Sequence, residues 1–250
     1  MVDVMVFQSA PPSRPDWVAE CMDSVARWAK ENGFAYQCLG DELFELIPES
    51  YRRQVEGRGP ILADLARLIL LEQHLSQHGG RAIWLDADVL SVDAQWRPSF
   101  DADSLFGEEC WVQADAKRGW RAYISPHNAY LSFTADSVVL PFLRHVTQSI
   151  IERADPAHIA PQMVGPKLLK HLHSLADFTL SPEIGALSPA LLEELMSTPN
   201  GAVACYRAQH RSPLKMINLC HSLVGKTPSQ REMLTALLAD PPRYLGPLVG

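Results

Sequence analysis

The stretch that most constrains this chain is GGRAIWLDADVL, residues 79–90. An apolar run from Ala82 to Leu85 ends in two carboxylates, Asp86 and Asp88, with one alanine between them. Val89 and Leu90 then restore the apolar character. Upstream, Ile61, Leu65, Leu68, Leu71 and Leu75 recur at helical spacing behind Pro60, which suits a first helical turn. A long helix, a Gly-Gly stop and a short apolar strand predict an α/β unit. The two aspartates then stand at the carboxyl end of a strand, the edge where open α/β sheets place their ligands. At a spacing of two in extended chain their side chains point to the same side. Burying a carboxylate without a partner costs on the order of several kcal/mol, so positive charge must sit between them. A pair of hard oxygen donors held this way suits Mn2+ or Mg2+, which keep positions open for phosphate oxygens.

The rest of the chain repeats the alternation of strand and helix. VDVMVFQ (Val2–Gln8) reads as a strand, Pro15 to Asn32 as an amphipathic helix, and FAYQCL (Phe34–Leu39) as a second strand. Residues 40–59 read as a mobile connection, and residues 91–121 as a less regular region. NAYLSF (Asn128–Phe133) is the next expected strand, followed by a helix over Ser137 to Arg153 and another in GPKLLKHLHSLA. FTL, AVACY and KMINLC are expected as short strands, with a helix after Pro228 and a loose tail over 241–250. This is one α/β domain, 1–240, with a mostly parallel central sheet flanked by helices.

Composition narrows the function. The 250 residues are 47% hydrophobic and 20% charged, enough for one large core. The net charge of -7 argues against a dedicated nucleic-acid binder or a binder of anionic membranes. No apolar run reaches membrane-spanning length. Five dispersed cysteines without a CxxC pair read as free thiols of a reducing compartment, so a cytoplasmic protein is expected.

The run DLARLILLEQHLSQHGGRAIWLDADVL is similar to the DXD glycosyltransferases of the GT-A superfamily. The group it resembles holds capsular-polysaccharide sugar transferases, initiating mannosyltransferases and glucosylating toxin domains. The shared elements are Asp64 and Arg67 on the helix, Gly79 and Gly80 at its end, and Asp86 and Asp88 after the strand. VFQSAPP, containing Gln8, resembles the first strand and the loop that receives the nucleotide base. MVGPKLL resembles a downstream Gly-Pro helix start. The resemblance implies a GT-A-type, Rossmann-like domain that takes a nucleotide-diphosphate sugar and retains the anomeric configuration. It implies that Asp88 binds the metal directly and Asp86 directly or through water. It also implies that Asp64 and Arg67 touch the donor sugar or its phosphate. At i and i+3 that pair shares a helix face, where Arg can hold a phosphate or orient the carboxylates. The bland reading of the same pair is an ordinary surface ion pair.

Other candidates are weaker. In NLCHSLVGKTP, His221 is a candidate further metal ligand. Gly225 and Lys226 are candidates for a loop over the diphosphate, with Lys226 stabilising the departing phosphate; a partly buried His and a surface Lys are the alternative. VGKT is not a Walker loop, because Cys220 stands where the upstream glycine is required. Asn128 and Tyr130 are candidate donor or acceptor contacts, and Asp115 a candidate acid near the acceptor. His74 and His78, four apart, lack an evident third metal ligand. Trp84 and Trp111 are expected in the core, and Trp17 and Trp28 in the core or on a helix surface. Two other functions fit the pattern less well. One is a non-catalytic nucleotide-sugar-binding module. The other is a haloacid-dehalogenase-type phosphatase, whose motif DADVL matches poorly at its third and fourth positions. The acceptor, whether saccharide, small molecule or protein, is not legible.

Overall fold

The computed structural model describes residues 3–117, 119–176, 178–210 and 212–249. The first half runs β1 (Val4–Ser9), α1 (Asp16–Glu31), β2 (Ala35–Leu39), α2 (Glu49–Gln54), α3 (Gly59–His78), β3 (Arg81–Leu85) and β4 (Val89–Ser91). A long hairpin follows, β5 (Ser104–Asp115) and β6 (Gly119–Thr134), and then α4 (Val139–Arg153) and α5 (Pro166–Ala176). The chain continues with β7 (Thr179–Ser181), β8 (Ile184–Ala186), α6 (Pro189–Met196) and α7 (Ala202–Gln209). It ends with β9 (Met216–Asn218), α8 (Pro228–Ala239) and α9 (Pro241–Val249). No helix among the described residues is long and apolar enough to cross a membrane.

The described strands form a six-stranded sheet in the order β2-β1-β3-β6-β5-β7 and a three-stranded sheet in the order β4-β9-β8. In the larger sheet β1 pairs in parallel with β2 and β3, and β5 with β7, while β6 runs antiparallel to both its neighbours. The fully buried β3 lies near the centre of the sheet, which accounts for its unbroken apolar run. Asp86, Ala87 and Asp88 are the link between β3 of the large sheet and β4 of the small one. The motif therefore sits where the chain changes sheets.

Gly80 is required there on two counts. Its φ is +71°, and a Cβ would lie 2.5 Å from the Asp3 carbonyl oxygen. Helices α3, α4 and α5 cover one side of the core with Leu65, Leu71, Leu143 and Leu169. On the other side Val25 and Trp28 of α1 pack with Ile83 and Leu85. A third cluster joins α1 to α6, α7, α8 and α9 through Trp17, Leu191, Tyr206, Leu234 and Leu245.

Four sequence expectations need correction. Residues 40–59 are not a loose connection. A short 3-10 helix, Asp41–Leu46, and α2 bury Leu43, Ile47, Tyr51 and Val55. The irregular region from 91 contains β5 and the start of β6. A bulge in β6, Asn128–Tyr130, shifts the register between Phe106 and Gly107, and Leu105, Phe106 and Gly107 of β5 are buried in succession, so no two-residue period marks the strand there. AVACY is helical. Asn200 Oδ1 accepts the Ala202 N–H, Glu194 Oε2 accepts the Val203 N–H, and Ala202 and Tyr206 face inward at a spacing of four. The supposed tail is α9, obscured by Pro247 within it; Leu245 and Leu248 are buried, and the Leu248 carbonyl accepts the Leu214 N–H at 3.0 Å. Val2 and Gly250 of the expected first strand and tail lie outside the described residues.

Because Leu245 is fully buried, Leu245→Ala should lower the free energy of unfolding by about 2–5 kcal/mol, read from urea melts. A loose tail would leave the midpoint unmoved.

Candidate active site

Arg67 answers the electrostatic question that the two aspartates raise. It is only 6% exposed, on the face of α3 turned toward the end of β3. Its Nε donates to the Ala63 carbonyl at 3.0 Å, and its Nη1 donates to Asp86 Oδ1 and to the Asn128 carbonyl, both at 2.8 Å. Nη2 lies 3.2 Å from Asp64 Oδ1. The guanidinium also lies over the Trp84 ring, 5.2 Å from its centre. It is a buried cross-link of helix and sheet rather than the surface ion pair of the bland reading.

The Asp86 carboxylate is divided by these contacts. Its Oδ1 accepts from Arg67 and, at 2.7 Å, from Trp84 Nε1; among the described residues no protein donor meets Oδ2. Asp64 Oδ1 accepts from Asn128 Nδ2 at 2.7 Å. Burial pushes the Asp64 carboxyl up to about 6, with Arg67 opposing, Asp86 adding to the rise and Asn128 opposing it. Gly165 explains itself at this point: a Cβ would lie 2.6 Å from Asp64 Oδ2 and 3.0 Å from Asn128 Nδ2. The Gly-Pro start of α5 is thus a close approach of backbone to this pair.

Asp88 is held from the other side. Its Oδ2 accepts the His221 backbone N–H at 2.7 Å, and its carbonyl accepts the Leu219 N–H at 2.9 Å. Burial first, then the Asp86 charge, pushes its carboxyl up to about 6, while the His221 N–H opposes the rise. The His221 ring packs edge-on against Trp17 with centres 5.3 Å apart, and its buried Nδ1 has no partner among the described residues. Burial, and secondarily Lys226, holds its pKa below the ordinary histidine range. The described residues include no cluster of three or more His, Cys, Asp or Glu arranged for a metal. His221 therefore reaches Asp88 through its backbone, and its ring is not gathered with the two carboxylates.

Two cavities meet at the motif. One, of 410 Å³, is lined by the loop after β1, by Val18 of α1, and by Leu43 and Phe44 of the 3-10 helix, with Ser13, Arg14 and His221. The other, of 480 Å³, is lined by more polar groups, including Asp64, Glu109, Trp111, His127 and Asn128. Pro60, Arg67, Asp86 and Asp88 line both. The aspartates form the wall between an apolar chamber and a polar one.

The other sequence candidates divide. Gln8 is fully buried and lines neither cavity. It donates to the Asp86 carbonyl at 3.0 Å and accepts from Tyr36 Oη at 2.9 Å, so it anchors the motif instead of meeting a ligand. Tyr130 is also fully buried, and Asp115 stands at the hairpin turn, away from both cavities. Gly225, with φ +76°, lies against Trp17 and Leu234. Lys226 is exposed, and its backbone N–H donates to Gln230 Oε1 in the capping box that starts α8. GKTP thus owes its pattern to a helix start. Trp84 is buried as expected and Trp17 and Trp28 prove to be buried too, whereas Trp111 is only half-buried and lines the polar cavity. Arg14, Glu109 and Trp111 were missed as site residues. Arg14 sits in a Pro-rich loop without periodicity, and the two strand residues lie beyond the bulge.

No family model and no curated protein matches the sequence. Among solved structures, the chain is similar to a glycosyltransferase involved in the glycosylation of the major capsid of PBCV-1. That likeness has a TM-score of 0.54 over 94% of this chain and 98% of that one, at 10% identity. The chain has the GT-A fold. Looser likenesses include the galactosyltransferase LgtC in complex with donor and acceptor sugar analogs (12% identity, 94% and 95% of the two chains, TM-score 0.42). Another is mouse xyloside xylosyltransferase 1 (12% identity, 88% and 98%, TM-score 0.43).

In this GT-A fold, removing Arg67 leaves Asp64 and Asp86 facing each other without a counter-charge. Arg67→Ala should therefore lower stability by roughly 3–5 kcal/mol in urea unfolding, and not merely weaken a ligand contact. The raised carboxyls set the pH dependence. Asp64 and Asp88 hold their protons more tightly folded than unfolded, so their effect is to make stability fall as pH rises from 3.8 to about 6 and level off above. Asp64→Asn should flatten that fall in unfolding curves measured across the same pH range.

Proposed function

We propose that this chain is a glycosyltransferase that moves a sugar from a nucleotide-diphosphate sugar to an acceptor hydroxyl with retention of configuration. The observation that carries the reading is the placement of Asp86 and Asp88 on the wall shared by the two cavities. The apolar chamber suits a nucleoside, with Leu43 and Phe44 beside the base and Arg14 placed for phosphate charge. The polar chamber suits the sugar and the acceptor hydroxyl.

Two neighbouring carboxylates support Mn2+ or Mg2+ as the ion this site would take. Among the described residues no protein donor meets Asp86 Oδ2, burial and its like-charged neighbour hold up the pKa of Asp88, and His221 Nδ1 has no partner. Asp86 and Asp88 would hold the ion; the His221 ring, packed on Trp17, is not gathered with them and would be at most a further ligand. When bound, the ion neutralises charge on the departing diphosphate. Arg67 and Trp84 fix Asp86 Oδ1 and so aim Oδ2 outward. Asp64 and Asn128 line the polar chamber, where they would orient sugar hydroxyls. Lys226, exposed beside His221, adds positive charge at the margin.

The test is hydrolysis of a panel of nucleotide-diphosphate sugars with and without Mn2+. Wild-type protein should release free sugar only with the metal. Asp88→Asn should lower that rate by about 10²–10³-fold while keeping the wild-type circular dichroism. Its melting temperature should match or slightly exceed that of the wild type, because like-charge repulsion is relieved. Full turnover in excess chelator would overturn the metal-centred reading. Phosphate release from a simple monoester would favour the phosphatase, and binding without turnover the binding module.

A further inference from the structure

Beyond the polar chamber, the outward face of the β5–β6 hairpin carries an ordered set of side chains that the reading above leaves unused. Cross-strand partners on this face are Glu109 with Ser125, Trp111 with Tyr123, and Gln113 with Arg121. Residues two apart on a strand share a face, so these three pairs form one continuous ladder about 13 Å long. The opposite face points inward, with Cys110 and Val112 buried in the C-terminal core. The ladder is tied together by a Ser125 Oγ hydrogen bond to Glu109 Oε1 at 3.0 Å and by the Arg121 guanidinium 4.6 Å from the centre of the Tyr123 ring.

The ladder is the floor of a groove of 380 Å³ whose other wall is the start of α5, with Lys167 and Lys170. Both lysines are exposed and form no ion pair with any described residue. The groove is continuous with the chamber at the aspartates: Glu109, Trp111, Gln162 and Pro166 line both. A side chain as apolar as Trp111, half-buried between two cavities and flanked by acid, amide, hydroxyl and ammonium groups, has a specific chemical complement. A pyranose presents an apolar C–H face and a rim of hydroxyls. The first matches an aromatic ring and the second matches Glu109, Gln113 and the lysines.

We propose that this groove binds an oligosaccharide acceptor, with its reacting end in the polar chamber and its following sugars stacked on Trp111 and Tyr123. The proposal rests on the transferase reading for its orientation, but its binding chemistry does not depend on turnover. The ladder is long enough for more than one sugar ring, so affinity should rise with acceptor length and a monosaccharide should bind weakly.

The experiment uses the full chain on an array of defined glycans of increasing length printed beside unglycosylated peptides. Wild-type protein should retain glycans of more than one sugar in preference to monosaccharides and peptides. Trp111→Ala should weaken that binding about tenfold, Trp111→Phe should restore most of it, and Tyr123→Ala should give a smaller loss. Gln113→Ala and Lys170→Ala, at exposed positions that leave the core intact, should each weaken it and so serve if Trp111→Ala does not fold. Undiminished glycan binding in all the variants, retention of peptides instead, or no glycan bound by the wild type would overturn the proposal. A separate thermal-shift titration of the wild type with nucleotide sugars and Mn2+ reads the transferase assignment alone. Donor binding without glycan binding removes the groove and spares the transferase, and glycan binding without donor binding does the reverse.

Discussion

The Arg67 side chain is the interaction on which the rest of the site depends. One guanidinium satisfies a helix carbonyl, a strand carbonyl and two carboxylates while nearly excluded from water. A lone charge at that depth would be prohibitively costly, and so would Asp64 without it. The network therefore sets the position of α3 against β3 and β6, and it does so with directional bonds that apolar packing cannot supply. Its geometric product is a carboxylate with Oδ1 fixed and, among the described residues, no protein donor at Oδ2.

The second constraint is topological. Asp86–Ala87–Asp88 spans the change from the six-stranded to the three-stranded sheet, so its two carboxylates are tethered to different bodies. Asp86 answers to α3 and the large sheet. Asp88 answers to the segment after β9, through hydrogen bonds to the backbone at Leu219 and His221. Cys220, between them, is held at φ +55°, a conformation uncommon for a residue with a Cβ, while its N–H is taken by Asn218 Oδ1. The tight turn at Cys220 is what carries the backbone N–H of His221 to Asp88.

A third element is the bulge that follows His127 on β6. A Cβ on Gly107 would lie 2.2 Å from His127 Nε2, so the glycine makes room for the imidazole. Accepting the Ala129 N–H at Nδ1 places the ring proton on Nε2, which then donates to the Ile184 carbonyl at 3.1 Å. The histidine thereby joins the long hairpin to β8 of the small sheet. Beyond the bulge, the hairpin turns one face to the C-terminal core and the other to the groove.

Much of this was legible in the sequence where the signals were local. The period of α3, the Gly-Gly stop, the buried strand and the paired carboxylates determine the α/β unit at the centre and put Asp86 and Asp88 at the carboxyl end of β3. The Asp64 and Arg67 spacing likewise gave their shared helix face. What local pattern does not encode is which partner a polar side chain meets across the fold. Gln8 reads as a loop-side contact in sequence, yet its distance of 78 residues from Asp86 closes to a hydrogen bond only when β1 pairs with β3. Arg67 reads as a group that could hold a phosphate, orient the carboxylates or sit in a surface ion pair, and only the folded contacts with Asn128 and Asp86 decide among these. The long hairpin was masked by a bulge, α7 by its strand-like composition, and α9 by a proline. In each case long-range packing overrode a weak local preference. The sequence by itself thus determined the chemistry at the strand end. Only the tertiary structure decided which charges neutralise one another and which Asp86 oxygen Arg67 and Trp84 hold, because those contacts join elements that meet only after the sheets assemble.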